Sequence, residues 1–299
     1  MREIWRLKHF LGVVEAASMH GGARLLNISQ PALTKSIRHL EERLNTKLLT
    51  RLPRGVKMTD EGELLYKRAR EIEASWNAAL VEIGAQTKGQ NGVMKIGGGP
   101  VYSLIHFPVS LARLQKNFPK LRVELSSGPA SELIQKLRKG DLLAYGGGIP
   151  SEEEIADMNL KSVYLYEQKN SLYASKNHPI FSKEDYNEQT TLEYPWLCLF
   201  NAQQANQIIN KYFERRGLTV PDLAIVSASI DFAYKMIDKH EFLACLPTPI
   251  VEDNPEMGLR KVTLKDFDWS IRTGLTYQKS SSSFRPLKQL LCDLQKLAT

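Results

Sequence analysis

Apolar residues return at helical spacing over the first part of the chain. Leu7, Phe10, Leu11, Val14 and Ala17 predict a helix over residues 4–17. Ser18 then caps a short helix, Asn27 and Ile28 form a turn, and Ser29 caps a further helix whose first turn holds Pro31, where a missing N–H costs nothing. In that helix Leu33, Ile37, Leu40 and Leu44 recur at i, i+4, i+7 and i+11, which places them on one buried face. Pro31, Lys35 and Arg38 project from the other side, with Thr34 on the flank. Residues 47–52 and 56–58 read as two short extended pieces around the turn Pro53-Arg54-Gly55, a β-wing. Thr59 is a good N-cap, Asp60, Glu61 and Glu63 favour the positive end of a helix, and no proline follows until Pro100, so one long helix is expected. Its apolar positions, Leu65, Ala69, Ile72, Trp76, Ala79 and Ile83, keep a heptad seam that another helix must cover. The economical cover is the same helix of a second subunit; the alternative is the chain's own body.

Residues 86–92 are polar, contain two glycines and lack periodicity, and they read as a linker. Beyond them the pattern turns to α/β. Strands are predicted at 93–96, 121–126, 142–145, 171–174, 196–199, 223–226, 242–246 and 271–277. Helices are predicted at about 102–118, with Leu104, Phe107, Leu111, Leu114 and Phe118 inward, and at about 130–139, 203–216, 229–239 and 284–297. Strands alternating with helices imply right-handed parallel crossovers. Two glycine triplets, Gly97 to Gly99 and Gly146 to Gly148, follow predicted strands.

Charge changes the picture. The formal net charge is +7. Residues 1–57 hold eleven Lys/Arg and four Asp/Glu, and the rest of the chain holds 29 of each, so the whole excess sits in the first part. A helix that is apolar behind and cationic in front, on a basic module joined to a neutral body, meets the physical requirements for entering a DNA major groove. The bland alternative is a helical hairpin with a solvated basic face. No apolar run approaches a membrane span, and Met1 to Arg6 leads into an amphipathic helix instead of a signal-peptide core, so a cytoplasmic protein with no membrane partner is expected.

Cys198, Cys245 and Cys292 lie far apart in sequence with no CxxC, so neither a disulfide framework nor a metal site is indicated. A redox sensor would want a second cysteine close to Cys198, and none is expected nearby. No GxSxG, HExxH or dinucleotide fingerprint appears, the glycine triplets do not match a P-loop, and His106, His178 and His240 have no evident partner. Neither an enzyme nor a cofactor is expected. A solute-binding transport protein could share the body's fold but would lack the basic head.

Gln30, Thr34, Lys35 and Arg38 are the residues expected to meet base edges or phosphates. Gln reads adenine bidentately and Arg reads guanine, whereas Ser29, Lys35 and Arg54 suit phosphates, Arg54 being otherwise a plain exposed loop residue. Pro100, Val101, Tyr102 and Ser103 open a helix after a strand, where free N–H groups suit a carboxylate. Ser127, Gly128, Asn201 and Ser227 are further candidate positions for a small ligand; the alternative is that these residues only make turns and caps.

With these residues laid out, the N-terminal third resembles the LysR-type transcriptional regulators of bacteria. The positions that carry the resemblance are Leu7, Phe10, Val13, Glu15, Ser18, Ser29-Gln30-Pro31-Ala32, Leu40-Glu41, Leu44, Leu48-Leu49, Arg51, Arg54, Met58-Thr59 and Gly62. It continues more weakly along the chain at Phe118-Pro119, Leu137 to Asp141, His178-Pro179 and Leu246-Pro247. Gly21-Gly22 departs from the pattern, standing where a good helix former and an alanine are usual, and so does Asn45 in place of glycine. The resemblance implies an all-α winged helix-turn-helix domain at 1–58, a dimerising linker helix and hinge at 59–92, and an α/β, periplasmic-binding-protein-like regulatory domain at 93–299. Two lobes, about 93–165 with 270–299 and about 166–268, would hold a small effector between them. It also implies self-association as a dimer or tetramer on promoter DNA, with RNA polymerase as an optional further partner.

Overall fold

Three helices and a two-stranded wing make the N-terminal unit: α1 (Arg2–Glu15), α2 (Met19–Leu25), α3 (Gln30–Leu44), β1 (Leu49–Leu52) and β2 (Gly55–Met58). The computed structural model describes residues 2–52, 55–86, 93–157, 159–199, 202–227 and 229–297. Phe10, Val13, Ala23, Leu33, Ile37, Leu40 and Leu48 form the core of this unit. Val13, not Ala17, completes the inner face of α1. Ala17 has φ 48°, which ends the helix, and its carbonyl accepts the Val56 N–H at 3.0 Å, tying the wing to α1. Both serine caps form: Ser18 Oγ accepts the Gly21 N–H at 3.0 Å and Ser29 Oγ the Ala32 N–H at 3.4 Å. Asn45 closes α3 in the left-handed region, φ 49° and ψ 37°. Leu44 does not join the buried face; it is 46% exposed, because the last turn of α3 runs past the core and Glu41 holds the inward place there.

The two unusual glycines in α2 have a steric reason. A Cβ on Gly22 would lie 2.9 Å from Val13 Cα and 3.1 Å from the Gly12 carbonyl, so α2 crosses α1 at backbone contact. That approach offsets the roughly 1 kcal/mol a helical glycine costs.

A 27-residue helix, α4 (Asp60–Gln86), follows. Leu65 packs on the N-terminal core and Ala69 is buried, whereas Ile72 and Trp76 are 44% and 50% exposed. Ala79 is half-buried, and the side chain of Ile83 lies outside the described residues. Arg70, which is buried, joins α4 to α1 through an ion pair with Glu15 and also pairs with Glu73 at 2.7 Å.

The rest of the chain is α/β. Its first elements are β3 (Val93–Gly98), a widened turn over Tyr102–His106, α5 (Phe107–Asn117), β4 (Arg122–Ser127), α6 (Ala130–Lys139), β5 (Ala144–Gly148) and α7 (Glu152–Asp157). Then come β6 (Leu160–Ser175), α8 (Glu188–Thr191), β7 (Trp196–Leu199), α9 (Ala202–Glu214), β8 (Leu223–Ser227) and α10 (Ile230–Lys239). The chain finishes with β9 (Leu243–Pro247), α11 (Thr248–Asp253), β10 (Leu259–Lys261), β11 (Trp269–Gln278) and α12 (Arg285–Leu297). Helix α4 meets α6 and the turn at Lys279–Ser281, so part of the long helix is covered by its own chain.

The strands form one sheet in the order β4-β3-β5-β11-β6-β9-β7-β8, with β10 on β6. Parallel pairing holds at each end, β3 with β4 and β5, and β7 with β8 and β9. The all-parallel expectation fails in the middle, where β11 runs antiparallel to β5 and β6, and β6 antiparallel to β9. One core gathers Met94, Ile96, Phe107, Leu114, Leu275 and Leu290; another gathers Leu172, Trp196, Phe213, Leu243 and Phe267. Strands β6 and β11 pass through both, and their register slips between Thr273 and Gly274. The glycine triplets end strands as expected: Gly97 and Gly98 are the last residues of β3, and Gly146 to Gly148 the last three of β5. Leu104 points outward, 45% exposed, because the Phe107 N–H reaches back five residues to the Tyr102 carbonyl and the wide turn buries Tyr102 instead. Among the described residues no helix is long and apolar enough to cross a membrane.

Candidate functional site

On α3 the Ser29 cap fixes the start of the helix, and the buried row Leu33, Ile37 and Leu40 turns the opposite row outward. Gln30, Pro31, Thr34, Lys35, Arg38, His39 and Glu42 border one open surface. Arg38 Nε donates to Glu42 Oε1 at 2.7 Å, with the Arg38 side chain 76% exposed. That hydrogen bond, more than any other contact, holds the Glu42 carboxyl below the usual carboxylate range. Arg38 is therefore extended and oriented, but shares its charge until a stronger acceptor arrives.

Glu41 does the opposite job from the buried side. Its carboxylate accepts the Leu48 N–H at 3.0 Å, the Leu49 N–H at 3.3 Å and Lys47 Nζ at 2.8 Å, which locks the wing onto α3. Arg54, at the wing tip, lies outside the described residues. From sequence Glu41 enters only through the resemblance, as part of Leu40-Glu41, and Glu42 was not singled out, although Arg38 and Glu42 stand at the i, i+4 spacing that pairs opposite charges on a helix.

A second concavity of about 140 Å³ opens between the two halves of the α/β sheet. Pro100, Val101 and Tyr102 border it on one side, and Gln168, Asn170, Cys198, Cys245 and Trp269 on the other. No Asp, Glu, Lys, Arg or His is among its described lining residues. Gln168 Nε2 donates to Asn170 Oδ1 at 3.2 Å. The Tyr102 ring lies over β5, where a Cβ on Gly146 would collide with it, and the buried Tyr102 hydroxyl has no hydrogen-bond partner among the described residues. Near the cavity, His106 Nε2 is 2.8 Å from the Tyr166 hydroxyl. Burial lowers the His106 pKa and pushes Tyr166 up to about 12. His106 thus has a partner that its sequence neighbours did not reveal, and so does His178, whose Nδ1 accepts the Ile180 N–H at 3.1 Å.

Two family models cover nearly all of this architecture. Residues 4–63 match the bacterial regulatory helix-turn-helix protein of the lysR family, and residues 87–295 match the LysR substrate binding domain. The chain belongs to the LysR family. It is a DNA-binding transcriptional regulator with an effector-binding domain, and its relatives are regulators, not enzymes. The HTH-type transcriptional regulator PcaQ of Agrobacterium fabrum is 22% identical over 293 residues, 98% of this chain and 94% of that protein. CysL of Bacillus subtilis is 25% identical over 223 residues, 75% of this chain and 73% of that protein. A full-length OxyR variant from Pseudomonas aeruginosa superposes with a TM-score of 0.65 at 15% identity, covering 98% of this chain and 94% of that one. CbnR in complex with its target DNA gives 0.58 at 17% identity, with 99% of each chain covered. At such identities the superpositions speak for the shared LysR fold.

Within this LysR regulatory domain the eight effector candidates fall into different places. Pro100, Val101, Tyr102 and Gly128 border the cavity. Ser103 Oγ instead donates to the Gly98 carbonyl at 3.0 Å and accepts from Ser127 Oγ at 3.0 Å. Ser227 Oγ accepts the Ser229 N–H at 3.0 Å, a local turn bond, and Asn201 lies outside the described residues. Gln168, Asn170 and Trp269 were missed, because nothing in their local sequence marks the inner face of a strand that crosses between two cores, and Tyr145 was missed because it sits inside β5 just before the glycines.

The cysteines need correcting. Cys198 and Cys245, 47 positions apart in sequence, are in-register neighbours on β7 and β9, and both border the cavity. Parallel strand pairing brings together what sequence separation hid.

Proposed function

We propose that this LysR-family chain binds promoter DNA as a homo-oligomer in the cytoplasm, inserting α3 into the major groove, and that a small anionic metabolite in the interlobe cavity controls that binding. The observation that carries the DNA half is the exposed row Gln30, Thr34, Lys35 and Arg38 on a helix capped at Ser29 and clamped by Glu41. Ser29, Pro31, Lys35 and Arg54 are assigned to backbone positioning, and Gln30, Thr34 and Arg38 to base edges. CbnR, solved on its target DNA, supports the same geometry here by shared fold. Leu65, Ala69, Ile72, Trp76, Ala79 and Ile83 are the proposed dimer seam. The exposure of Ile72 and Trp76 supports a partner for the distal part of α4, while the chain's own domains cover the proximal part.

For the effector, the first helical turn offers the backbone N–H groups of Val101 and Tyr102, which the helix itself leaves without acceptors, and among the described lining residues no acidic side chain is present to repel an anion.

Arg38→Ala tests the DNA half. Its cognate site should bind more weakly by about 1–3 kcal/mol, with relaxed preference at one base pair, as read by fluorescence anisotropy at fixed salt. Unchanged affinity and selectivity would remove Arg38 from the base-reading set. A thermal-shift screen of small carboxylates tests the effector half, since a ligand at 100 times its dissociation constant stabilises by about 2.7 kcal/mol.

A further inference from the structure

The side chains of Cys198 and Cys245 leave the same face of the sheet side by side, because in-register residues of adjacent strands share a face. Two residues earlier on that face, Trp196 and Leu243 are buried in the second core, so the two thiols stand where that core ends and the cavity begins. Adjacent strands lie about 4.8 Å apart. Side chains that leave one face at the same register position are therefore near neighbours, and a linear ion held by two metal–thiolate bonds of about 2.3 Å needs its sulfurs about 4.6 Å apart.

We propose that Cys198 and Cys245 form a two-thiolate site for a soft, two-coordinate cation of the cuprous, silver or mercuric class. Among the described residues no group of three or more His, Cys, Asp or Glu side chains is placed to hold a metal, so a tetrahedral zinc site lacks donors. Hard cations want oxygen ligands, whereas a thiol pair without carboxylates selects soft ions. On binding, two S–H bonds break, two sulfur–metal bonds form and two protons leave for solvent; no electron is transferred.

Oxidation of the pair is the competing chemistry, and it needs an oxidant to take two electrons from the sulfurs. Burial raises both thiols, which lowers the thiolate available to either reaction, so an ion binds only by displacing both protons. The site goes beyond the metabolite reading of the cavity and stands whether or not a metabolite shares it.

The test is titration of the reduced full-length C292S chain, which lacks the exposed third cysteine, with mercuric ion and, separately, with cuprous ion held by a competing chelator. Thiolate-to-metal ultraviolet absorption, proton release and the melting temperature are read together. One ion per chain, two protons released, a raised melting temperature and at least a hundredfold loss of affinity in both C198S and C245S are expected. C198A and C245A serve where a buried serine hydroxyl spoils folding. Uptake that survives loss of either cysteine overturns the proposal, as does a folded chain that takes up no ion.

Discussion

The outer face of α3 and the interlobe cavity are built by opposite means. The first is fifteen consecutive residues whose charged row is exposed because the apolar row behind it is buried. The second draws on positions from Gly99 to Ile271, carries no charged side chain among its described lining, and exists only because β6 and β11 run through both cores. One surface is set by a local period and a cap, the other by tertiary crossing. A local site tolerates change in the distant fold, whereas a crossed site answers to packing on both sides.

The largest effect that would sharpen this contrast is expected from Glu41→Ala. Removing the carboxylate leaves the Leu48 and Leu49 amides without an acceptor, at about 1–3 kcal/mol for each buried donor. Urea unfolding of the N-terminal unit should shift by that amount, DNA affinity should fall with it, and the regulatory domain's transition should stay in place. A parallel fall in both transitions would break the picture of independent units.

Gly146→Ala is the complementary experiment. Its Cβ would strike the Tyr102 ring, and overpacking of this kind costs about 1–3 kcal/mol. The regulatory domain should melt earlier while uncontrolled DNA binding is retained.

Glu42→Ala acts more gently, on the recognition surface alone. It frees Arg38 from an exposed ion pair, so DNA affinity should rise and its salt dependence should steepen. A weaker complex would mean that Glu42 orients Arg38 instead of competing for it.

The smallest effect is on pH dependence. His9, His106 and His178 all titrate below 6.5 in the folded chain, burial being the first cause in each. The unfolded chain then binds more protons in the window between the lowered values and 6.5. Stability is fully present above about pH 6.5 and falls as the pH drops through that window. Two of the three histidines lie in the regulatory domain, so its urea midpoint should fall further than that of the N-terminal unit when the pH is lowered from neutral.

How much of this was legible follows the same division. Ser18, Ser29, Pro31 and the row Leu33, Ile37 and Leu40 announced the helix pair because capping and burial there are decided within a few residues. Helix α4 was plain from Thr59 and the proline-free run after it. By contrast, only the last part of β6, a 16-residue strand, was anticipated, because its face toward one core changes where the strand enters the other. The Cys198–Cys245 pairing and the Gln168–Asn170 contact depend on strand order, which no local pattern encodes. Gly22 falls between these cases: its oddity was visible, but its cause, contact with Val13, needed the neighbouring helix.

The widened turn at Tyr102–His106 accommodates one residue more than an α-helix would over the same span. Loss of a single codon there would leave Phe107 and Leu114 seated in the core while turning the residues of the first turn, Pro100 to Tyr102, by about 100°. A different side chain would then face the cavity, the loop after β3 taking up the shift so that the strands keep their pairing. An insertion or deletion at this turn thus changes which side chains border the cavity without a single substitution among its strands.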